Sequence, residues 1–232
     1  MFIVDKLPKS ITAESYRSLR TNIQYSSIDK QVKTLVVTSS NAGEGKSTVA
    51  GNLAYTFFQN GKRVLIIDCD LRKPSLHRKF NVSNEEGLTD VLVGTSKLNN
   101  VMKKIDDNLY LLITGTLPPN PAEIIGSNTM ENFLEQCKIN FDYIILDTPP
   151  ILPVTDSKLL AIKADATVVV VRSEVSKSKH VSQAFKELEK VNANIIGTIL
   201  NDVEMYSEKL YYDYSNKSKK SKFINLRNVI KI

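Results

Sequence analysis

The chain reads Leu35-Val36-Val37-Thr38-Ser39-Ser40-Asn41-Ala42-Gly43-Glu44-Gly45-Lys46-Ser47, an apolar strand that runs directly into a glycine-rich loop and a lysine. Backbone N–H groups of such a loop, and of the helix after it, point at phosphate oxygens, and the helix dipole favours negative charge there. The strict G-x-x-x-x-G-K-[ST] pattern is not met, because Ser40 stands where the first glycine is expected. The stretch still predicts a phosphate-binding loop, with a glycine-rich turn before an ordinary helix as the alternative.

The loop and the start of the following helix supply candidate nucleotide ligands. Lys46 is expected to reach the terminal phosphates, and Ser47 to offer its hydroxyl to Mg²⁺. Glycines let the backbone approach the phosphates closely. The predicted nucleotide-binding residues of this stretch are Gly43, Glu44, Gly45, Lys46, Ser47 and Thr48.

Carboxylates follow two further apolar strands. Asp68 and Asp70 end the run that begins at Val64, and Asp147 ends Ile144-Ile145-Leu146. Ligands of an open α/β sheet bind at the carboxyl ends of its strands. Asp68 and Asp70 are two residues apart, which in extended geometry points both side chains the same way, a costly arrangement without a cation. The pattern predicts Mg-nucleotide, with Mg²⁺ held by Ser47, Asp68, Asp70 and Asp147.

The same residues predict phosphoryl-transfer chemistry. Lys46 is expected to stabilise charge on the phosphates, and one of the paired carboxylates to accept a proton from an incoming nucleophile. The spacing leaves open which carboxylate does so. The predicted catalytic residues are Lys46, Asp68, Asp70 and Asp147.

Strands and helices alternate along the chain. Near-continuous apolar runs such as Val168-Val169-Val170-Val171 are typical of parallel strands buried on both faces. Alternation of this kind predicts right-handed crossovers. The fold class is therefore α/β, a P-loop NTPase-type, mostly parallel sheet with helices on both faces. The predicted strands are Thr34–Thr38, Val64–Asp68, Asn108–Ile113, Tyr143–Asp147, Ala166–Arg172 and Asn194–Leu200.

Charge is distributed unevenly between the body of the chain and its end. Of the net charge of +6, residues 207–232 contribute +5, and the preceding part contributes only +1. The composition predicts a domain over residues 1–205 and a flexible, tyrosine-containing basic tail over 206–232. A body without a basic face argues against a nucleic-acid partner.

No stretch is apolar for the roughly 18 residues that a membrane span needs, and the start lacks the features of a secretory signal. The expected location is the cytoplasm. The only cysteines, Cys69 and Cys137, predict neither a disulfide framework nor a metal site.

The motifs together resemble those of bacterial tyrosine kinases (BY-kinases) of capsule and exopolysaccharide biosynthesis, in particular the CapB-like cytoplasmic type that is separate from its membrane activator. The loop, the segment Asp68-x-Asp70-x-Arg72-x-Pro74 and the strand ending at Asp147 resemble the family's Walker A, A′ and B motifs. The resemblance covers about residues 10–205. It implies an ATP- and Mg²⁺-dependent protein-tyrosine kinase that regulates polysaccharide synthesis and export, with Asn201 at the adenine-contacting position.

The resemblance also implies how copies of the chain act on one another. Glu14, Arg17 and Arg20 resemble an E-x-x-R-x-x-R segment that mediates ring-shaped self-association; otherwise they are an ordinary charged helix face. A C-terminal cluster resembles the tyrosines that the family phosphorylates on a neighbouring subunit, here Tyr206, Tyr211, Tyr212 and Tyr214. Implied partners are a membrane activator with a cytoplasmic activating segment that recruits the chain to the inner face of the membrane, a cognate phosphatase, and tyrosine-containing protein substrates.

Two other functions compete with this prediction. One is a partitioning-type (Min/Par-like) ATPase, a group that usually has a lysine where this chain has Asn41. The other is an inactive regulatory subunit of a polysaccharide-export complex. Intact Lys46, Asp68, Asp70 and Asp147 argue against inactivity.

Overall fold

A mostly parallel sheet organises the part of the chain that the computed structural model describes, residues 2–26, 32–203 and 230–231. Its order is β3-β4-β2-β5-β1-β6-β7-β8. Every pair is parallel except β3 with β4. The strands are β1 Thr34–Ser39, β2 Val64–Asp68, β3 Lys103–Asp106, β4 Leu109–Leu112, β5 Tyr143–Asp147, β6 Ala166–Arg172, β7 Ile195–Asn201 and β8 Ile230–Lys231.

Helices cover both faces of this sheet. Leu35 and Val37 of β1 pack on one side with residues of α2 and α3, whereas Val36 packs on the other side with residues of α8. The predicted α/β class is confirmed. The helices are α1 Ile3–Lys6, α2 Ile11–Gln24, α3 Lys46–Gln59, α4 Leu76–Phe80, α5 Leu88–Leu92, α6 Leu98–Val101, α7 Pro121–Gly126, α8 Asn128–Asn140, α9 Asp156–Lys163 and α10 Ser178–Glu189.

Several elements were not predicted from the sequence, among them the short helix α1, the strand β8 in the segment assigned to the tail, the edge strand β3 and helix α7. The edge strand β3 was not predicted, because its charged residues alternate between half-buried and exposed positions and resemble a surface loop. The prolines among residues 117–121 argue for a break in the chain. Pro121 nevertheless occupies the first turn of helix α7, where the fixed φ of proline suits a helix and no N–H is needed.

None of the helices within the described ranges combines the length and the apolar character that crossing a bilayer requires.

Candidate functional site

The loop between β1 and α3 has the backbone shape of an anion cradle. Gly43 and Gly45 adopt left-handed conformations, with φ of 82° and 97°. Two features exclude a side chain at Gly45. Its positive φ disfavours any other residue, and a Cβ there would lie 2.0 Å from Asn201 Nδ2. Helix α3 begins at the next residue, Lys46, so its N-terminal N–H groups face the loop.

The carboxylate of Glu44 braces the loop from inside. Glu44 is 1% exposed. Its oxygens accept hydrogen bonds from Ser40 Oγ at 2.8 Å, the Asn41 N–H at 2.9 Å and the Ser176 hydroxyl. Ser40 replaces the expected glycine because its hydroxyl is one of the three donors that satisfy this buried charge. A nucleotide contact by Glu44 therefore falls to its backbone N–H.

The loop carbonyls are held on the β6–β7 side. Arg172 Nη1 donates to the Gly43 carbonyl at 3.2 Å, and Asn201 Nδ2 donates to the Glu44 carbonyl at 3.1 Å. In a planar trans peptide the C=O and the following N–H point in opposite directions. Fixing these two carbonyls therefore turns the N–H groups of Glu44 and Gly45 away from β6 and β7.

Asp68 is held by the turn that follows β2. Its Oδ2 accepts the N–H groups of Ser75 at 2.9 Å and Leu76 at 2.8 Å, and its Oδ1 accepts that of Asp70 at 3.3 Å. Burial raises the pKa of Asp68, the Asp70 charge adds to the rise, and the backbone N–H donors oppose it.

Asp147 lies beside Asp68, since the two residues are register partners on the parallel strands β5 and β2. It is 1% exposed, and neither carboxylate oxygen has a hydrogen-bond partner among the described residues. Burial, together with the Asp68 charge, raises the pKa of Asp147, and Lys46 and the nearby Ser47 hydroxyl partly oppose this. A buried carboxylate without donors fits a site for a hydrated cation.

The position of Asp70 is set by a turn and not by the strand alternation on which its prediction was based. Strand β2 ends at Asp68, and Asp70 Oδ1 accepts the N–H groups of Lys73 at 2.9 Å and Arg72 at 3.3 Å in the next turn. Within the described ranges, no three His, Cys, Asp or Glu side chains form a preformed metal cage. Such an arrangement suits Mg²⁺, which takes one or two carboxylates and completes its shell with phosphates and waters.

Two clefts meet at the loop. A cleft of about 460 Å³ is lined by Gly45, Thr48, Lys79, Arg172, Asn201 and Asp202, and a second of about 470 Å³ by Asp70, Arg72, Lys73, Pro149, Pro153 and Val154, among others. Gly43, Lys46 and Ser47 line both. Ser47 Oγ also accepts a hydrogen bond from Ser75 Oγ at 2.8 Å.

Three side chains near the site were missed by the sequence analysis. Lys79 Nζ donates to Thr48 Oγ1 at 2.9 Å, and Arg172 Nε to Asp202 Oδ2 at 2.8 Å. Arg172 gave a usable signal, a charge at the carboxyl end of an apolar strand. Lys79 and Ser176 gave none, because short turns and helices without a motif carry them.

The predicted oligomer residues lie on α2. Glu14 Oε2 accepts from Arg17 Nη1 at 2.8 Å, on the surface. Arg20 instead turns toward α3, where its Nη1 donates to the Thr56 carbonyl at 3.2 Å, and its buried Nε has no partner in the described part of the chain. The predicted acceptors Tyr206, Tyr211, Tyr212 and Tyr214 lie outside the described residues.

Most of this chain is similar to known proteins. A family described as an AAA domain matches residues 32–201. Tyrosine-protein kinase YwqD of Bacillus subtilis (strain 168) is 39% identical, over 90% of this chain and 89% of that protein. Tyrosine-protein kinase etk of Escherichia coli (strain K12) is 34% identical, over 87% of this chain and 28% of that longer protein.

Solved structures give the same picture. The crystal structure of the chimerical protein CapA2B2 superposes with a TM-score of 0.83 and 36% identity, over 86% of this chain and 88% of that one. The septum site-determining protein MinD of Pyrococcus horikoshii OT3, complexed with Mg-ADP, reaches a TM-score of 0.62 at 24% identity, over 78% and 76%. The second likeness concerns the fold alone and confirms the P-loop NTPase type.

Proposed function

This chain belongs to the bacterial tyrosine-protein kinase family, and from that membership we propose that it transfers the γ-phosphoryl group of Mg-ATP to tyrosine hydroxyls in the control of capsular or exopolysaccharide synthesis and export. One observation carries the proposal above the others. Among the described residues, the oxygens of the buried Asp147 have no hydrogen-bond partner, and they lie beside Asp68, next to Lys46 and the phosphate loop. That edge is built for a cation and a polyphosphate together.

The base of the nucleotide occupies the cleft lined by Arg172 and Asn201, and its phosphates cross the loop to the face that points away from β6 and β7. Backbone N–H groups of Gly43, Glu44 and Gly45 bind its phosphates, and Lys46, Ser47 and Thr48 extend the cradle into α3. Asn201 lines this cleft, as its adenine-contacting role requires, although its amide also holds the Glu44 carbonyl.

Ser47, Asp68, Asp70 and Asp147 are the residues that would hold Mg²⁺. When bound, the ion neutralises charge that develops on the β- and γ-phosphates. The support is the chemistry of the donor set, which consists of a hydroxyl and hard carboxylate oxygens. The two oxygens of Asp147 have no hydrogen bond from the described part of the chain.

Transfer needs a nucleophile on the other side of Lys46. The tyrosine oxygen forms a bond to the γ-phosphorus as the bond to the β,γ-bridging oxygen breaks, and ADP leaves. Lys46 stabilises the charge on the transferring group. The phenolic proton passes to a carboxylate, and we assign it to Asp70, which lines the second cleft, because Asp68 already accepts three backbone N–H groups.

Assembly and partners belong to the same proposal. Copies of the chain form a ring through the surface of α2 that carries Glu14, Arg17 and Arg20, and each phosphorylates Tyr206, Tyr211, Tyr212 or Tyr214 of its neighbour. The chain works in the cytoplasm, where a membrane activator recruits it through a cytoplasmic activating segment. A cognate phosphatase reverses the modification, other tyrosine-containing proteins are further substrates, and no nucleic acid takes part.

A mixing experiment tests the proposal. Lys46→Met alone, with ATP and Mg²⁺, is expected to make no phosphotyrosine while keeping its melting temperature. Mixed with the parent protein, the same variant should gain phosphotyrosine in trans, and mass spectrometry should place it on the four tail tyrosines. Lys186→Met, at an exposed lysine of α10, is the matched control and should behave as the parent does.

Each rival function gives a different result. A partitioning-type ATPase releases phosphate from ATP in the parent without any phosphotyrosine, and an inactive regulatory subunit does neither. Undiminished phosphotyrosine in folded Lys46→Met would overturn the kinase assignment. Phosphate found mainly on Tyr16, Tyr25, Tyr55, Tyr110 or Tyr143 would overturn the transfer to the tail.

A further inference from the structure

The second cleft has a wall that a nucleotide does not need. Pro149, Pro150, Pro153 and Val154 follow β5 and make one side of it, and most of its lining is apolar. This wall stands against Lys46 and Ser47, the place to which the γ-phosphate is assigned. An apolar slot of about 470 Å³ that opens onto a phosphate centre fits an aromatic ring carrying a hydroxyl.

Two cationic side chains, Arg72 and Lys73, line this cleft and differ in their pairing. Arg72 is committed to the buried Asp156, with its Nε 2.9 Å from Oδ2 and its Nη2 3.1 Å from Oδ1. The exposed side chain of Lys73 makes no hydrogen bond or ion pair within the described residues. Its backbone is nevertheless fixed, because its N–H donates to Asp70 Oδ1 at 2.9 Å. Among the described residues nothing pairs with the Lys73 ammonium, and the fixed backbone of Lys73 determines where that charge stands.

We propose that this cleft is the acceptor site, and that Lys73 selects tyrosines that have a carboxylate next to them in sequence. The inference rests on the proposed kinase function. The acceptor ring lies against the proline wall, its hydroxyl reaches toward Lys46 and Asp70, and the neighbouring Asp or Glu pairs with the Lys73 ammonium.

The occupant is the segment of residues 206–214 from a second copy of this chain. Asp213 stands between Tyr212 and Tyr214, and Glu208 is two residues after Tyr206. These carboxylates match the free cation at the rim. An exposed ion pair is worth a modest amount, so the preference for an acidic neighbour over a neutral one is about threefold in kcat/KM.

A charge-reversal experiment tests the selection. Three peptides carry one tyrosine and differ only in the following residue, Glu, Gln or Lys. The parent should favour them in that order by kcat/KM, Lys73→Gln should level the ratios, and Lys73→Glu should reverse the order. Lys186→Glu, a charge reversal outside both clefts, should keep the parent's order.

A second variant tests the apolar wall. Val154→Asp should raise the KM for the Glu peptide on the order of tenfold, with the KM for ATP unchanged. An unchanged peptide order in Lys73→Glu, or an unchanged peptide KM in Val154→Asp, overturns the acceptor site while the kinase assignment stands. A parent protein that phosphorylates neither peptide nor tail overturns the proposed function itself.

Discussion

The two sides of the phosphate loop treat their polar groups in opposite ways. Toward β6 and β7, the Glu44 carboxylate has three donors, and the Gly43 and Glu44 carbonyls are held by Arg172 and Asn201. Toward β5, Asp147 is equally buried and has no donor among the described residues. On the first side the protein itself supplies the hydrogen-bond partners, whereas on the second side a bound ligand would supply them.

The difference separates what must be rigid from what must be reactive. A cradle whose N–H groups are already oriented loses little on binding an anion. A buried carboxylate that lacks hydrogen-bond donors binds a cation strongly, but it lowers the free energy of unfolding while the site is empty. Substitutions on the β6–β7 side should therefore change the affinity for ATP. Substitutions at Asp147 should raise the stability of the ligand-free protein and lower its turnover.

The largest effect is expected at Asp147. Burial and the Asp68 charge raise its pKa above the unfolded value, so the folded state holds the proton more tightly. The free energy of unfolding of the ligand-free protein then falls as pH rises from the unfolded pKa, about 4, through the raised folded pKa. Asp147→Asn should lower kinase activity on the order of 100-fold yet gain about 1–4 kcal/mol of stability at about pH 8.

Thermal melting in EDTA at about pH 8 and about pH 3 measures the gain, which should largely vanish at the lower pH, where the folded and the unfolded state are both mostly protonated. Asp106→Asn, at an exposed carboxylate, is the control and should show no such pH-dependent gain. A loss of stability at the higher pH would show that Asp147 is satisfied by the protein itself.

A smaller effect is expected at the bridge between Glu44 and Ser176. Hydrogen bonds to charged groups are worth about 1.5–3 kcal/mol, so Ser176→Ala should raise the KM for ATP on the order of tenfold. Glu44→Gln should do the same, and the double variant should be no worse than the worse single one. Ser178→Ala, at an exposed serine, should keep the parent's KM.

Ser176→Thr keeps the hydroxyl and should restore the KM for ATP. Multiplying effects in the double variant, or a lower melting temperature with an unchanged KM, would mean that the bridge supports the fold and not the cradle.

The smallest effect is expected on α2, where the buried Arg20 Nε again has no hydrogen-bond partner within the described ranges. Exchanging Glu14→Arg with Arg17→Glu keeps the ion pair within the helix but reverses any contact to a neighbouring copy. Each exposed contact is worth at most about 1 kcal/mol, yet it repeats at every interface of a ring, so smaller species should form.

Light scattering measures the change, under conditions in which the parent assembles. The exchange Lys104→Asp with Asp107→Lys, at another exposed pair, should leave the assembly intact. Equal oligomer size in the α2 exchange and the parent would make Glu14 and Arg17 a solvated surface pair.

The sequence was sufficient for the backbone of the site. Strands β2, β5 and β6 have the predicted bounds, and helix α3 follows the glycine-rich loop as predicted, since long apolar runs and the loop determine them locally. The closeness of Asp68 and Asp147 also followed, because parallel strands end at one edge. Confirmation of the fold does not extend to the roles of these residues, which stay predictions.

The rest depended on contacts between residues far apart in the chain. Ser176 meets Glu44 across 132 positions and Asn201 meets its carbonyl across 157. No local pattern marks such pairs. The argument for Asp70 was weaker for a related reason: its place depends on the turn after β2, and strand alternation says nothing beyond the last strand residue.

The loop residues that border both clefts have a consequence for inhibitor chemistry. Gly43, Lys46 and Ser47 border both spaces, so a nucleotide and a phenol bound at once are separated by little more than a phosphate. One compound that joins them through its terminal phosphate would gain from tethering, since the second half binds at a high effective concentration.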